Sequence, residues 1–155
     1  MPPIPVRMGE MAVTSDQAAV LGIYGLGSCI GLSLWDPTAR VAAMAHFMLP
    51  SGTTPEPPAK FVDSGIERLV AAFEASGGSL RRAQLKAAGG AAVLTLTNGM
   101  SEIGRRNADA LHAGLASRGL RLTASDLGGT MARTIELSPQ TGSLSVRAAA
   151  TTRML

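Results

Sequence analysis

Apolar positions recur along this chain in two rhythms. From Ala18 to Tyr24 and from Arg40 to Met48 they form short runs, and from Ile30 to Trp35 they alternate weakly. Stretches of this length read as strands with one or both faces buried. Met11 to Thr14 predicts a shorter strand ahead of them. Asp36-Pro37-Thr38-Ala39 is a turn signal, so the stretches on either side of it are predicted to pair as an antiparallel hairpin. From Phe61 to Ser76 the rhythm changes. Val62, Ile66, Leu69, Val70 and Phe73 follow one helix face, and Gly77-Gly78 ends the helix. Ala83 to Ala88 predicts a strand leading into Gly89-Gly90. A second helix is predicted over Ser101 to Ser117, with Ile103, Asn107, Ala110, Leu111 and Leu115 on its inner side and Gly119 as its stop. Leu120 to Ser125, Arg133 to Leu137 and Leu144 to Arg147 read as closing strands. Ser138-Pro139-Gln140-Thr141-Gly142 makes the turn between the last two.

This order of elements is that of an α+β protein. Its 155 residues suit one domain with a sizeable core, and no linker or fixed-period repeat divides them. The predicted layout is a flexible arm over residues 1–7, a domain over 8–148 and a tail over 149–155. Leu49 to Ala59, with Pro50, Pro55, Pro57 and Pro58, is predicted as a surface loop of a length that often carries function.

Composition narrows the options. Hydrophobic residues make up 46% of the chain but aromatics only 3%, so the core must rest on Val, Leu, Ile, Met and Ala. The net charge is +3, with no run of Lys or Arg and no aromatic interleaving, which argues against nucleic acid as a partner. No apolar stretch approaches the ~18 residues of a membrane span, and the proline-rich start lacks the apolar region of a signal peptide. The expectation is a cytoplasmic protein without membrane insertion, whose thiol stays reduced.

That thiol is the feature with most chemistry in it. Cys29 is the chain's one cysteine, within Gly25-Leu26-Gly27-Ser28-Cys29-Ile30-Gly31. A lone cysteine is either a buried space-filler or a nucleophile. The flanking glycines allow close approach of another molecule, and backbone N–H groups at Gly27 and Ser28 would support an oxyanion. His46 lies in the apolar run Met44 to Pro50. The predicted hairpin puts Cys29 at the start of one strand and His46 late on its partner, so both lie at the same end. Left alone, His46 would be an ordinary core histidine; its place opposite Cys29 is what favours catalysis. His112 reads as a surface or half-buried helical group. Gly25-x-Gly27 lacks the further residues of a nucleotide-binding turn. Two histidines and one cysteine make a poor metal set, so neither metal nor cofactor is expected. Gly89-Gly90 and Gly128-Gly129 read as tight turns or close backbone packing.

With these segments in view, the chain resembles the CheD family of chemoreceptor glutamine deamidases. The resemblance is carried by Gly25-Leu26-Gly27-Ser28-Cys29, Asp36-Pro37, and Ala43 through Pro50. It continues in Lys60-Phe61-Val62-Asp63, Lys86 through Ala91, Ile103-Gly104-x-x-Asn107, and Asp126-Leu127-Gly128-Gly129-x-x-Ala132-Arg133. It spans about Gly9 to Arg147. It implies a single domain with a mixed β-sandwich flanked by helices, similar to the deamidase domain of the cytotoxic necrotizing factor toxins. It also implies hydrolysis of glutamine side chains on chemoreceptor cytoplasmic helices, with Cys29 as nucleophile and His46 as general base, and no cofactor. One position departs from the family pattern. Ile23 stands where the family has a threonine, the third member of its catalytic group. Tyr24 is adjacent but should point to the other strand face, and a backbone carbonyl can take over the orienting of His46. Two readings follow from this. One is an active deamidase. The other is a catalytically impaired module that docks on chemoreceptors or on a CheC-type phosphatase. A thiol peptidase or transglutaminase would use the same chemistry on another substrate.

Overall fold

The computed structural model describes residues 2–92 and 100–155, and among these it contains ten strands and two helices. The strands are β1 (Ile4–Pro5), β2 (Met11–Thr14), β3 (Leu21–Leu26), β4 (Ile30–Asp36), β5 (Val41–Phe47), β6 (Gln84–Gly89), β7 (Ala124–Leu127), β8 (Arg133–Leu137), β9 (Leu144–Ala148) and β10 (Thr151–Met154). The helices are α1 (Val62–Ala75) and α2 (Met100–Ser117). One sheet has the order β1-β3-β8-β9-β10 and the other β2-β5-β4-β6-β7. Each is mixed: β1 runs parallel to β3 and β6 parallel to β7, with the remaining pairs antiparallel.

The α+β class expected from the pattern is what the chain adopts. The two sheets face each other across Leu21, Ile23, Leu26, Met44, Ile135, Leu137 and Val146, all buried. The opposite face of the second sheet carries both helices over a larger core that includes Ile30, Leu32, Leu34, Phe47, Ile66, Phe73 and Leu111. This layering explains the sequence pattern of β5. All seven of its residues are buried, because a strand covered on both faces needs no polar side.

The helices and the hairpin follow the predicted bounds to within a residue or two. Two strands are displaced. The run that begins at Ala18 forms its strand only from Leu21 and carries it on through Gly25 to Leu26. After α2, Leu120 and Leu122 pack against the helix-side core as irregular chain, and pairing with β6 starts at Ala124. Both chain ends are paired to sheet. Within residues 1–7, expected as an arm, Ile4–Pro5 form β1, which pairs with Leu21 and Gly22, and Val6 is buried. The tail supplies β10, which pairs with β9.

The far end of the hairpin is closed by Asp36, whose side chain is fully buried. Its carboxylate accepts from the N–H groups of Thr38, Ala39 and Ser79 and from the Arg82 guanidinium at 2.8 Å. Arg82 and these N–H groups hold its carboxyl well below the usual carboxylate range. The unfolded state therefore binds this proton first as pH falls. The stability Asp36 adds is complete above its ordinary value of 3.8 and is lost as pH drops below it. Asp36→Asn should remove that limb. Urea titrations between about pH 5 and 2 should show a flatter dependence of the midpoint on pH than in the parent.

Candidate active site

The hairpin register sets the two reactive side chains. Ile30 pairs with Phe47 and Gly31 with His46. Ile30 and Phe47 belong to the helix-side core, so the alternation of the strands turns Gly31 and His46 to the face between the sheets. Cys29, two residues ahead of Gly31, packs against that same inter-sheet cluster. Cys29, in the bend that precedes β4, and His46, within β5, thus lie at the same end of the hairpin.

His46 is 6% exposed and is held by the segment that follows β1. Its Nδ1 lies 3.0 Å from the Val6 carbonyl oxygen. Its backbone accepts from Gly9 N–H and donates to the Glu10 carbonyl, both at 2.9 Å. A neutral ring that donates from Nδ1 carries its lone pair on Nε2, the form a base requires. Burial pushes the His46 pKa down, opposed by the Val6 carbonyl and by Glu10. Cys29 is a half-buried free thiol, and burial pushes its pKa up. Among the described residues no hydrogen bond joins its sulfur to His46. The thiol lines a cavity of about 430 Å³ with Ser28, Met48, Leu49, Ile103 and Met8. His46 borders a neighbouring recess of about 380 Å³ with Val6, Tyr24 and again Met8. Met8 is 61% exposed and stands at the boundary of both.

The loop carrying Cys29 is tied down by its carbonyls. Gly27 O accepts from Ala91 N–H at 3.0 Å, and Cys29 O from Gly90 N–H at 2.9 Å. Between them Ser28 O accepts from Asn107 Nδ2 at 2.9 Å. Among the described residues the N–H groups of Gly27, Ser28 and Cys29 donate to nothing. With all three carbonyls engaged, the N–H groups of this loop are left without an acceptor among the described residues, beside the thiol. The approach of Gly90 depends on Gly89. That residue has φ +109, and a Cβ there would collide with the Cys29 carbonyl.

Ile23 is 1% exposed. Its Cδ1 lies 3.0 Å from where a Gly31 Cβ would stand, so it presents hydrocarbon beside the cross-strand neighbour of His46. Tyr24 faces outward, 48% exposed, with its hydroxyl 2.9 Å from Glu136. Burial and Glu136 push the Tyr24 pKa up to about 12. His112 is exposed on α2. Three contributors escaped the reading of the sequence. Val6 acts through its carbonyl, which no side-chain pattern reveals. Met8 carries no local signal. Asn107 did leave one: an amide in the apolar stripe of a helix, fully buried, needs partners.

Comparison with known proteins bears on what this site serves. The family model described as CheD chemotactic sensory transduction matches residues 48–148. The probable chemoreceptor glutamine deamidase CheD of Symbiobacterium thermophilum is 45% identical over 143 residues, covering 88% of this chain and 87% of that protein. The chemoreceptor glutamine deamidase CheD of Thermotoga maritima is 39% identical, with 92% and 89% covered. The probable chemoreceptor glutamine deamidase CheD of Archaeoglobus fulgidus is also 39% identical, with 92% and 90% covered. These matches span both of the helices and both of the sheets, and by them the chain belongs to the CheD family.

Proposed function

We propose that this protein deamidates glutamine side chains of chemoreceptor cytoplasmic helices, with Cys29 as nucleophile and His46 as base. The observation that carries the reading is the placement of the two groups at one end of the hairpin, with Val6 O at Nδ1 of the imidazole. His46 Nε2 takes the thiol proton, and the sulfur bonds to the side-chain amide carbon of the substrate. The carbonyl oxygen gains the negative charge and is met by N–H groups of the Gly27–Cys29 loop. Collapse breaks the C–N bond, and the proton on His46 leaves with ammonia. Water then attacks the thioester, His46 taking its proton. Glutamate and the free thiol result, and no cofactor enters any step. The accompanying fold reading is a mixed sandwich of the cytotoxic necrotizing factor deamidase kind. The site of action is the cytoplasm, where such receptor helices lie.

The test is incubation with a chemoreceptor cytoplasmic fragment, followed by peptide mapping and ammonia assay. The expected result is glutamate at a small set of glutamine positions, with one ammonia released per site. An unchanged fragment, under conditions in which a threonine-containing relative converts it, would overturn the reading.

Ile23 favours the second reading, a module that docks on chemoreceptors or on a CheC-type phosphatase without turnover. Ile23→Thr separates the two. Thr keeps the branch at Cβ, and the lost burial should cost about 1–2 kcal/mol. If Val6 alone suffices to orient His46, the deamidation rate should change by less than about threefold. Appearance of ammonia release only in the Thr variant would show that the natural chain works as a docking module.

A further inference from the structure

We infer that Asn107 is a positioning residue of this site: its side-chain amide aims the Cys29 N–H at the oxyanion. The inference rests on the thioester reading given above. Asn107 is fully buried on α2, and its Nδ2 donates to two carbonyls at once. One is Ser28 O at 2.9 Å and the other Met48 O at 3.0 Å. Ser28 immediately precedes the nucleophile, and Met48 lies two residues beyond the base. One amide therefore ties together the two segments that carry the reacting groups, across sequence separations of 79 and 59 residues.

The bond to Ser28 has a directional consequence. A trans peptide is a rigid plane in which C=O and N–H point opposite ways. The Ser28 carbonyl and the Cys29 N–H belong to the same plane. Holding the carbonyl against α2 turns the Cys29 N–H away from the helix, and that N–H has no acceptor among the described residues. The two neighbouring carbonyls are held by Ala91 and Gly90 backbone, so among the described residues Asn107 supplies the one side-chain tie in the row. Its reach depends on Gly104, one helical turn earlier. A Cβ at Gly104 would strike the carbonyls of Gly90 and Ala91, so the glycine lets α2 approach the loop closely. The motif Ile103-Gly104-x-x-Asn107 thereby acquires a physical meaning: Gly104 gives the approach and Asn107 makes the tie.

The prediction separates positioning from mere support. Asn107→Ala should lower kcat on a chemoreceptor cytoplasmic fragment by about 10- to 100-fold, the range expected for a displaced oxyanion donor. KM should stay within about threefold. Alkylation of Cys29 by iodoacetamide develops no oxyanion, so its rate and pH profile should match the parent. If the alanine variant does not fold, Asn107→Ser, which keeps one donor on a shorter arm, carries the test with the same kcat-only loss. Unchanged kcat in a folded variant, or alkylation falling in step with turnover, would overturn the inference. Cys29→Ala is the control. If it still turns over, the thioester reading itself fails. If it is inactive while the Asn107 variants keep full kcat, only the role of Asn107 fails.

Discussion

Cys29→Ala should leave a folded protein with no measurable deamidation, a loss of at least about 10⁴-fold, since the step that forms the thioester has no other nucleophile. The fold should survive because the thiol is half-buried at a loop tip and is not sealed in the core. The loop is fixed by its carbonyls, through bonds from Ala91, Asn107 and Gly90, and none of these involves sulfur. Circular dichroism and the unfolding midpoint should therefore stay close to the parent while glutamate formation disappears. Turnover at the parental rate would remove Cys29 from the chemistry. Loss of the fold would return it to the role of a packing residue.

His46→Gln is the second large effect. Gln retains a donor for the Val6 carbonyl but offers no base, so kcat/KM should fall by about 10²- to 10⁴-fold. The parent should show an acid limb in kcat/KM below the ordinary histidine value of 6.5, because burial pushes the His46 pKa down. The ring stays neutral, and competent as a base, until the pH drops below that value. The stability effect has the same sign. The unfolded state takes up the proton first, so folding is progressively opposed as pH falls from 6.5. In the variant the acid limb should vanish together with most of the rate. Cys29 should then alkylate slowly at neutral pH and faster only at alkaline pH, because burial pushes the thiol up. An acid limb persisting unchanged in His46→Gln would assign it to another group.

Much of this was legible in the sequence, for identifiable reasons. The hairpin could be read because Asp36-Pro37 marks its turn and β4 and β5 have matched lengths. From these followed the shared end of Cys29 and His46. The helices could be read from the 3.6-residue spacing of Ile66, Leu69 and Phe73. The glycine pair Gly89-Gly90 read correctly as close backbone packing, now seen as the approach of Gly90 to the Cys29 carbonyl. What was not legible depends on long-range pairing. β1 is two exposed residues, one of them proline, and has no alternation to detect. Yet it brings Val6 to His46. β10 is exposed throughout and reads as a polar tail until β9 is there to pair with it. The tie from Asn107 joins positions far apart in the chain, and periodicity could place that residue only on the inner side of a helix. The missing hydroxyl at Ile23 was visible at once. The Val6 carbonyl beside His46 became visible only in the fold.

In the proposed mechanism Cys29 becomes acylated by the substrate glutamine. Acid quenching of the parent enzyme during turnover on a receptor cytoplasmic fragment, followed by intact and peptide-level mass spectrometry, tests it directly. The expected result is a hydroxylamine-sensitive species equal in intact mass to enzyme plus receptor fragment less one ammonia, which on digestion becomes the Cys29 peptide plus the substrate peptide less one ammonia. It should accumulate further when His46 is replaced by a residue that slows hydrolysis more than acylation. Vigorous deamidation with Cys29 unmodified at every quench time, and undiminished after complete alkylation of that thiol, would contradict it.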